Sequence, residues 1–229
     1  ESEVDEDIEG INVALPKSVA EEMANRKGTL TISTPLGDII LGQNALQAIT
    51  GITGDTMSCS IINNNDNTIA VEIKVGDTVL QNMGGIKVNL PLILAPDDVP
   101  IIIGKDHSET IVKKSTATAN GFTALLAGSA TLKVVNHAGN SKDISNDYWA
   151  KDSIAFVTSH ELFFGTSETK FSPGMTMNRA MFATVLYRLE ESPAVDEGTL
   201  FTDVPANTWY TKGVYWAAQN NIVMGTGNN

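Results

Sequence analysis

Residues 143–166 read DISNDYWAKDSIAFVTSHELFFGT, and residues 203–226 read DVPANTWYTKGVYWAAQNNIVMGT. Offset by sixty positions they align without a gap. Asp143 falls on Asp203, Ile144 on Val204, Trp149 on Trp209, Ile154 on Val214, Phe156 on Trp216, Val157 on Ala217, Leu162 on Ile222, Gly165 on Gly225 and Thr166 on Thr226. A repeat of this length predicts copies of one helical unit, each too small to close its own core and therefore packed on its neighbour. Ala150, Ile154 and Val157 fall at i, i+4 and i+7, and Tyr210, Val214 and Ala217 reproduce the stripe, so each copy opens with an amphipathic helix. Gly165 and Gly225 are expected to end these helices by adopting positive φ. In the first copy the loop Phe171-Ser172-Pro173-Gly174 leads to a second helix near Asn178, with Phe182, Val185, Leu186 and Leu189 as its apolar face. The second copy reaches Asn229 without its own loop and second helix, which reads as a piece of a longer chain. Its stripe then lacks its usual cover, which predicts aggregation, association with another copy of the chain, or packing on the first unit.

Upstream of the repeat the pattern changes to short strands. A helix is expected after Pro16, with Ser18 able to cap and Val19, Ala20, Met23 and Ala24 close together before Lys27-Gly28. Leu30 to Thr34 and Ile39 to Leu41 form a hairpin across Pro35-Leu36-Gly37-Asp38, and Ala45 to Ile49 adds one helical turn. Met57 to Ile62 pairs with Ile69 to Val75 across the polar bend at residues 63–67. Ile86 to Leu94, Val99 to Ile103, Thr110 to Lys114, Gly121 to Leu126 and Ser129 to Val135 continue as strands. The predicted fold class is α+β: a strand-dominated domain at 11–140, then all-α helical-hairpin repeats at 141–195 and 196–229. Residues 1–10 carry six acids and no base, and read as a tail or linker.

Charge and composition narrow the function. The chain has 27 acidic and 15 basic residues, a net charge of −12. Nucleic-acid backbones and anionic membranes would be repelled, because phosphate affinity rests on clustered Lys and Arg. No apolar run reaches the roughly 18 to 20 residues of a membrane-spanning helix, so no membrane insertion is expected. Cys59 is alone and reads as a small buried hydrophobe. His107, His137 and His160 fit no metal-ligand spacing, and no nucleophile elbow or phosphate loop occurs. No catalytic residue, metal or cofactor is expected within this chain.

Asp203-Val204, Trp209, the stripe to Ile222, Gly225, Phe171-Ser172-Pro173 and Met177-Asn178-Arg179-Ala180-Met181 closely resemble the S-layer homology module of bacterial surface proteins. The phrase from Thr184 to Glu190 is similar to the clostridial branch. The resemblance implies a three-pronged helical assembly in the complete family architecture. It also implies binding to cell-wall polysaccharide, often pyruvate-bearing, with the protein held outside the cell on the wall. In the family the second helix opens with Thr-Arg-Ala-Glu, a reciprocal capping box whose Arg is implicated in glycan binding. Here Asn178 keeps the cap, Met181 loses the return bond, and Arg179 survives to offer its planar fork to a carboxylate beside a helix N-terminus. The candidate glycan contacts are Arg179, Asn178, Trp149, Trp209, Asp147 and Gly165. The competing readings are core packing for the two tryptophans, turn or cap roles for Asp143, Asp147 and Asp203, and a surface ion pair for Arg179. The strand-rich body more weakly resembles regions that precede such modules, which implies no activity; spacer, display or adhesion are its expected roles. The alternative makes the chain an accessory region of a polysaccharide-degrading enzyme whose catalytic domain lies elsewhere.

Overall fold

Between Gly10 and Asn136 apolar and polar side chains alternate along short strands, and opposite faces of each strand meet core and solvent. The computed structural model describes residues 8–196, 198 and 201–225. The acidic block at 1–7 and the repeat equivalence at Thr226 lie outside these residues. The chain divides into two units, 1–136 and 137–229.

The first unit is built of two antiparallel sheets. One orders β1 (Gly10–Pro16), β4 (Thr56–Asn63), β5 (Thr68–Val75), β12 (Ala130–Asn136), β8 (Asp98–Ile103) and β9 (Glu109–Ile111), with the short β6 (Thr78–Val79) on β5. The other orders β10 (Ser115–Thr118), β11 (Gly121–Leu126), β7 (Ile86–Leu90), β3 (Gly37–Leu41) and β2 (Leu30–Thr34). Ile61, Val71, Ile73 and Leu132 of the first sheet share one core with Ile39, Val88, Leu90, Phe122 and Leu126 of the second. Helices α1 (Lys17–Asn25) and α2 (Gln43–Thr50) add Ala20, Ala24, Leu46 and Ile49 to it. Fully burying a side chain such as Ile or Leu contributes about 1.5 to 3 kcal/mol, so this unit has its own source of stability.

Several local expectations are corrected. Pro16 ends β1 and flanks α1 in an extended conformation, while Ser18 lies inside the helix and makes no capping bond. The strand expected to run to Leu94 stops at Leu90, because Pro91 has no N–H and the Leu92 N–H turns back to the Leu90 carbonyl. The single strand expected over Thr110 to Lys114 is a corner instead. There β9 belongs to one sheet and β10 to the other, with Val112 buried between them.

In the second unit the repeat returns element by element. Helices α3 (Lys151–Ser159) and α5 (Thr211–Gln219) are offset by the sixty positions of the alignment. The Ile154 N–H donates to the Ala150 carbonyl and the Val214 N–H to the Tyr210 carbonyl, both at 2.9 Å. Leu162 N–H to Val157 carbonyl, 2.9 Å, is matched by Ile222 to Ala217, 2.8 Å. These last bonds close helix ends in which Glu161 and Asn221 take φ of 54° and 57°. The helices therefore end at Ser159 and Gln219, six residues before Gly165 and Gly225. Gly165 does take positive φ, at 70°, but for another reason: a Cβ there would stand 2.3 Å from the Lys170 carbonyl oxygen. Gly225 is not among the positive-φ glycines.

Helix α4 (Arg179–Leu189) starts where expected, and its buried side chains are Ala183, Thr184 and Tyr187. Phe182, assigned to the buried face, is 49% exposed. The face turns because α4 packs closely on α5: a Cβ on Gly213 would lie 2.7 Å from the Thr184 Cα, so small residues occupy the crossing. Val214 and Ala217 pack with Ala183 and Tyr187, and the second copy's stripe is thus covered by the first copy. Ile222 remains 44% exposed although its counterpart Leu162 is buried.

Candidate functional site

Asn178 precedes α4 with an extended backbone, and its side-chain oxygen accepts the Met181 N–H at 2.9 Å. That satisfies one of the four unpaired N–H groups of the first turn and fixes the direction in which Arg179 leaves the helix. The Arg179 guanidinium donates to the Met224 carbonyl, which ties α4 to the segment after α5. It is paired to a backbone oxygen, where sequence reasoning allowed a surface acid.

Asn178 and Arg179 line a cleft of about 520 Å³ with Asp203, Trp209, Met224 and Gly225. An adjoining cleft of about 490 Å³ is lined by Phe164, Gly165, Asn178, Arg188 and Trp209, among others. Asn178 and Trp209 are common to both. Trp209 is 59% exposed and its ring meets Tyr210 edge-on at 5.1 Å. Its indole face is therefore available, and the core-packing reading is overturned for it. The same holds more strongly for Trp149, which is 89% exposed and tilted against Tyr148 at 6.0 Å. Both tryptophans stand two residues ahead of equivalent helices, so the repeat sets their position rather than core packing.

Four of the six sequence candidates, Asn178, Arg179, Trp209 and Gly165, meet at these two clefts. Trp149 and Asp147 do not line either. Both stand together at the head of α3, where the Ser145 hydroxyl beside Asp147 lowers that carboxyl's pKa. Asp143 is a loop clamp. Its carboxylate accepts the Phe171 and Ser172 N–H groups at 2.9 and 2.8 Å, and these bonds hold its pKa below 3.8. Asp203, its counterpart, lines the first cleft, and the positions matching Phe171 and Ser172 lie past Asn229.

Sequence reasoning missed Arg188. It interrupts the apolar run from Val185 to Leu189 one residue before its end, and that interruption was the available signal. Its guanidinium donates to the Leu162 carbonyl at 3.0 Å and lies 4.3 Å above the Phe164 ring. Burial lowers its pKa, with Glu161 opposing. It still carries its charge at neutral pH, because arginine does not deprotonate in proteins. An exposed indole that shares one cleft with Arg179 and the other with Arg188, near a helix N-terminus, suits a ligand with one apolar ring face and an acidic substituent. Among the described residues no group of His, Cys, Asp and Glu could hold a metal ion. No described helix is long and apolar enough to cross a membrane.

Residues 142–183 and 200–229 match the S-layer homology domain. The chain is 29% identical over 110 residues to endo-1,4-beta-xylanase A of Thermoanaerobacterium saccharolyticum, covering 48% of this chain and 9% of that protein. It is 34% identical over 79 residues to a cellulosome-anchoring protein of Acetivibrio thermocellus, covering 34% and 18%. It is 28% identical over 121 residues to an S-layer protein of Bacillus thuringiensis subsp. finitimus, covering 49% and 15%. The match spans less than a fifth of each of these relatives. No solved structure matches the chain closely enough to count.

Proposed function

We propose that this chain, which over residues 142–229 is an S-layer homology domain protein, holds its parent on the outer surface of a bacterial cell by gripping wall polysaccharide in the clefts around Trp209. The domain is a non-catalytic anchoring module and sets a cell-wall location. The finer reading concerns the residues. Trp209 supplies a stacking face, Arg179 and Arg188 supply cations for an acidic substituent such as a pyruvyl carboxylate, and Asn178 holds the helix N-terminus that favours the same charge. Gly165 keeps the rim of the second cleft narrow by letting two backbone segments approach. The observation that carries this reading is the meeting of Asn178, Arg179 and Trp209, drawn from two copies of the repeat, at one cleft.

The test is retention of the chain on purified wall sacculi before and after the secondary polysaccharide is stripped. Retention lost on stripping supports the reading, and equal retention on both preparations overturns it. In this account the strand-rich unit is a spacer or display body. A second reading, favoured by the likeness to a xylanase, makes the chain the accessory region of a polysaccharide-degrading enzyme. The complete coding sequence of the parent distinguishes the two, since a catalytic domain would be visible in it.

A further inference from the structure

The strand-rich unit has a cleft of its own. It opens where the two sheets run past their last shared core pairs, Leu132 with Ile69 on one sheet and Phe122 with Leu90 on the other. Leu36, Pro91 and Leu92 from one sheet and its turns, and Ile69 and Val134 from the other, line a space of about 370 Å³. A volume in this range holds a small ligand or a single ring of a larger one.

The rim is polar and locked in advance. The Asp66 carboxylate accepts the Thr68 N–H at 3.1 Å and its hydroxyl at 2.7 Å, and the Asn64 amide donates to the Thr68 hydroxyl at 2.8 Å. These bonds fix the bend between β4 and β5. They leave the side-chain amides of Asn63 and Asn67, which also line the cleft, without a bond to any described residue. Lys133 lines it too and forms no ion pair within 4 Å among the described residues; it is the one charged side chain on the lining. A rigid bend carrying unused amides over apolar walls has the form of a prepared site.

We infer that this mouth binds a pyranose residue of a polysaccharide, independently of the clefts around Trp209. A pyranose presents an apolar C–H face that fits Leu36 and Leu92, and an edge of vicinal hydroxyls. A side-chain amide is both donor and acceptor, so Asn63 and Asn67 can each pair with such an edge, and Lys133 can donate to a hydroxyl or carboxylate oxygen.

The test uses the whole chain carrying Arg179→Ala, so that the second unit's site does not dominate. An array of neutral, N-acetylated and uronic-acid oligosaccharides is screened, and the strongest binder is titrated while backbone amide resonances are followed by NMR. The expected result is shifts concentrated at Asn63, Asn64, Asn67, Ile69, Leu92 and Lys133. The combination Asn63→Ala with Asn67→Gly should weaken binding about tenfold or more, glycine being chosen because Asn67 has φ of 62°. Lys133→Ala is a second variant that leaves the bend untouched. A silent array, shifts confined to the second unit, or binding of extended peptides in place of sugars would overturn the inference.

Discussion

At the residue scale, the two tryptophans separate what the repeat imposes from what the site uses. Trp149 and Trp209 occupy the same place in their copies, yet only Trp209 lies against the preceding copy's second helix and lines the clefts. Trp209→Ala should therefore weaken retention on sacculi about tenfold or more, while Trp149→Ala should change it less than about threefold. A depletion assay against a sacculus concentration series reads both, and equal losses would remove Trp209 from the site. Arg179→Ala should cost about 1.5 to 3 kcal/mol of binding, the range for a hydrogen bond to a charged group. Arg179 was a candidate in the sequence because the Met177–Met181 stretch resembles the family motif that opens this helix, and the structure places it at the first position of α4 behind a capping Asn. Arg188 was not. A lone cation in an apolar run gives no sign that its head will bend back to a carbonyl 26 residues upstream.

At the element scale, the spacing of apolar residues gave α3 and α5 their identical lengths, while helix ends and faces were set by tertiary packing. Glu161 and Asn221 take the left-handed positions that glycine was expected to fill, asparagine being among the few other residues that visit that region readily. The closing bonds to Val157 and Ala217 offset a cost of about 1 kcal/mol for each such residue. The α4 face was misassigned because period alone ranks Phe182 above Ala183, whereas a close crossing admits only small side chains. That crossing yields a prediction. Gly213→Ala drives a Cβ into the Thr184 backbone and should lower the second unit's stability by about 1 to 3 kcal/mol, read as a lower midpoint in denaturant. Sacculus retention should fall with it, since α4 and α5 jointly carry the clefts. The end of α3 is sensitive to pH. His160 is buried, and its Nδ1 lies 2.8 Å from the Phe156 carbonyl oxygen and 3.2 Å from the Ser159 hydroxyl. Desolvation lowers its pKa below 6.5; the Phe156 bond opposes this, and nearby His137 adds to it. The unfolded chain then binds the proton first, so the stability linked to neutral His160 is complete above about pH 6.5 and is lost as pH falls toward the folded value. Melting curves between pH 7 and pH 5 should show a decline that His160→Asn reduces.

At the scale of the whole molecule, a chain of net charge −12 that grips an acidic polymer, as proposed above, would face two opposed electrostatic effects. The long-range one is repulsion between two polyanions, and six of the acids lie in the first ten residues. The short-range one is attraction at Arg179 and Arg188. Screening separates them: the Debye length is about 10 Å at 0.1 M salt and about 3 Å at 1 M, so distant repulsion fades while a pair in direct contact within a partly desolvated cleft is weakened less. A basic protein held by counterion release would behave in the opposite way, losing affinity steeply with added salt. The strand-rich unit, with 9 basic and 11 acidic residues over 11–140, contributes little net field of its own. Retention on sacculi should accordingly hold or strengthen as sodium chloride rises from about 0.05 to about 0.5 M. Deleting residues 1–7, which carry five of those acids and stop short of β1, should raise retention at the low-salt end and make no difference at the high-salt end. A fall of tenfold or more across the same range would mean that diffuse charge, rather than Arg179, Arg188 and the Trp209 indole, holds the chain to the wall.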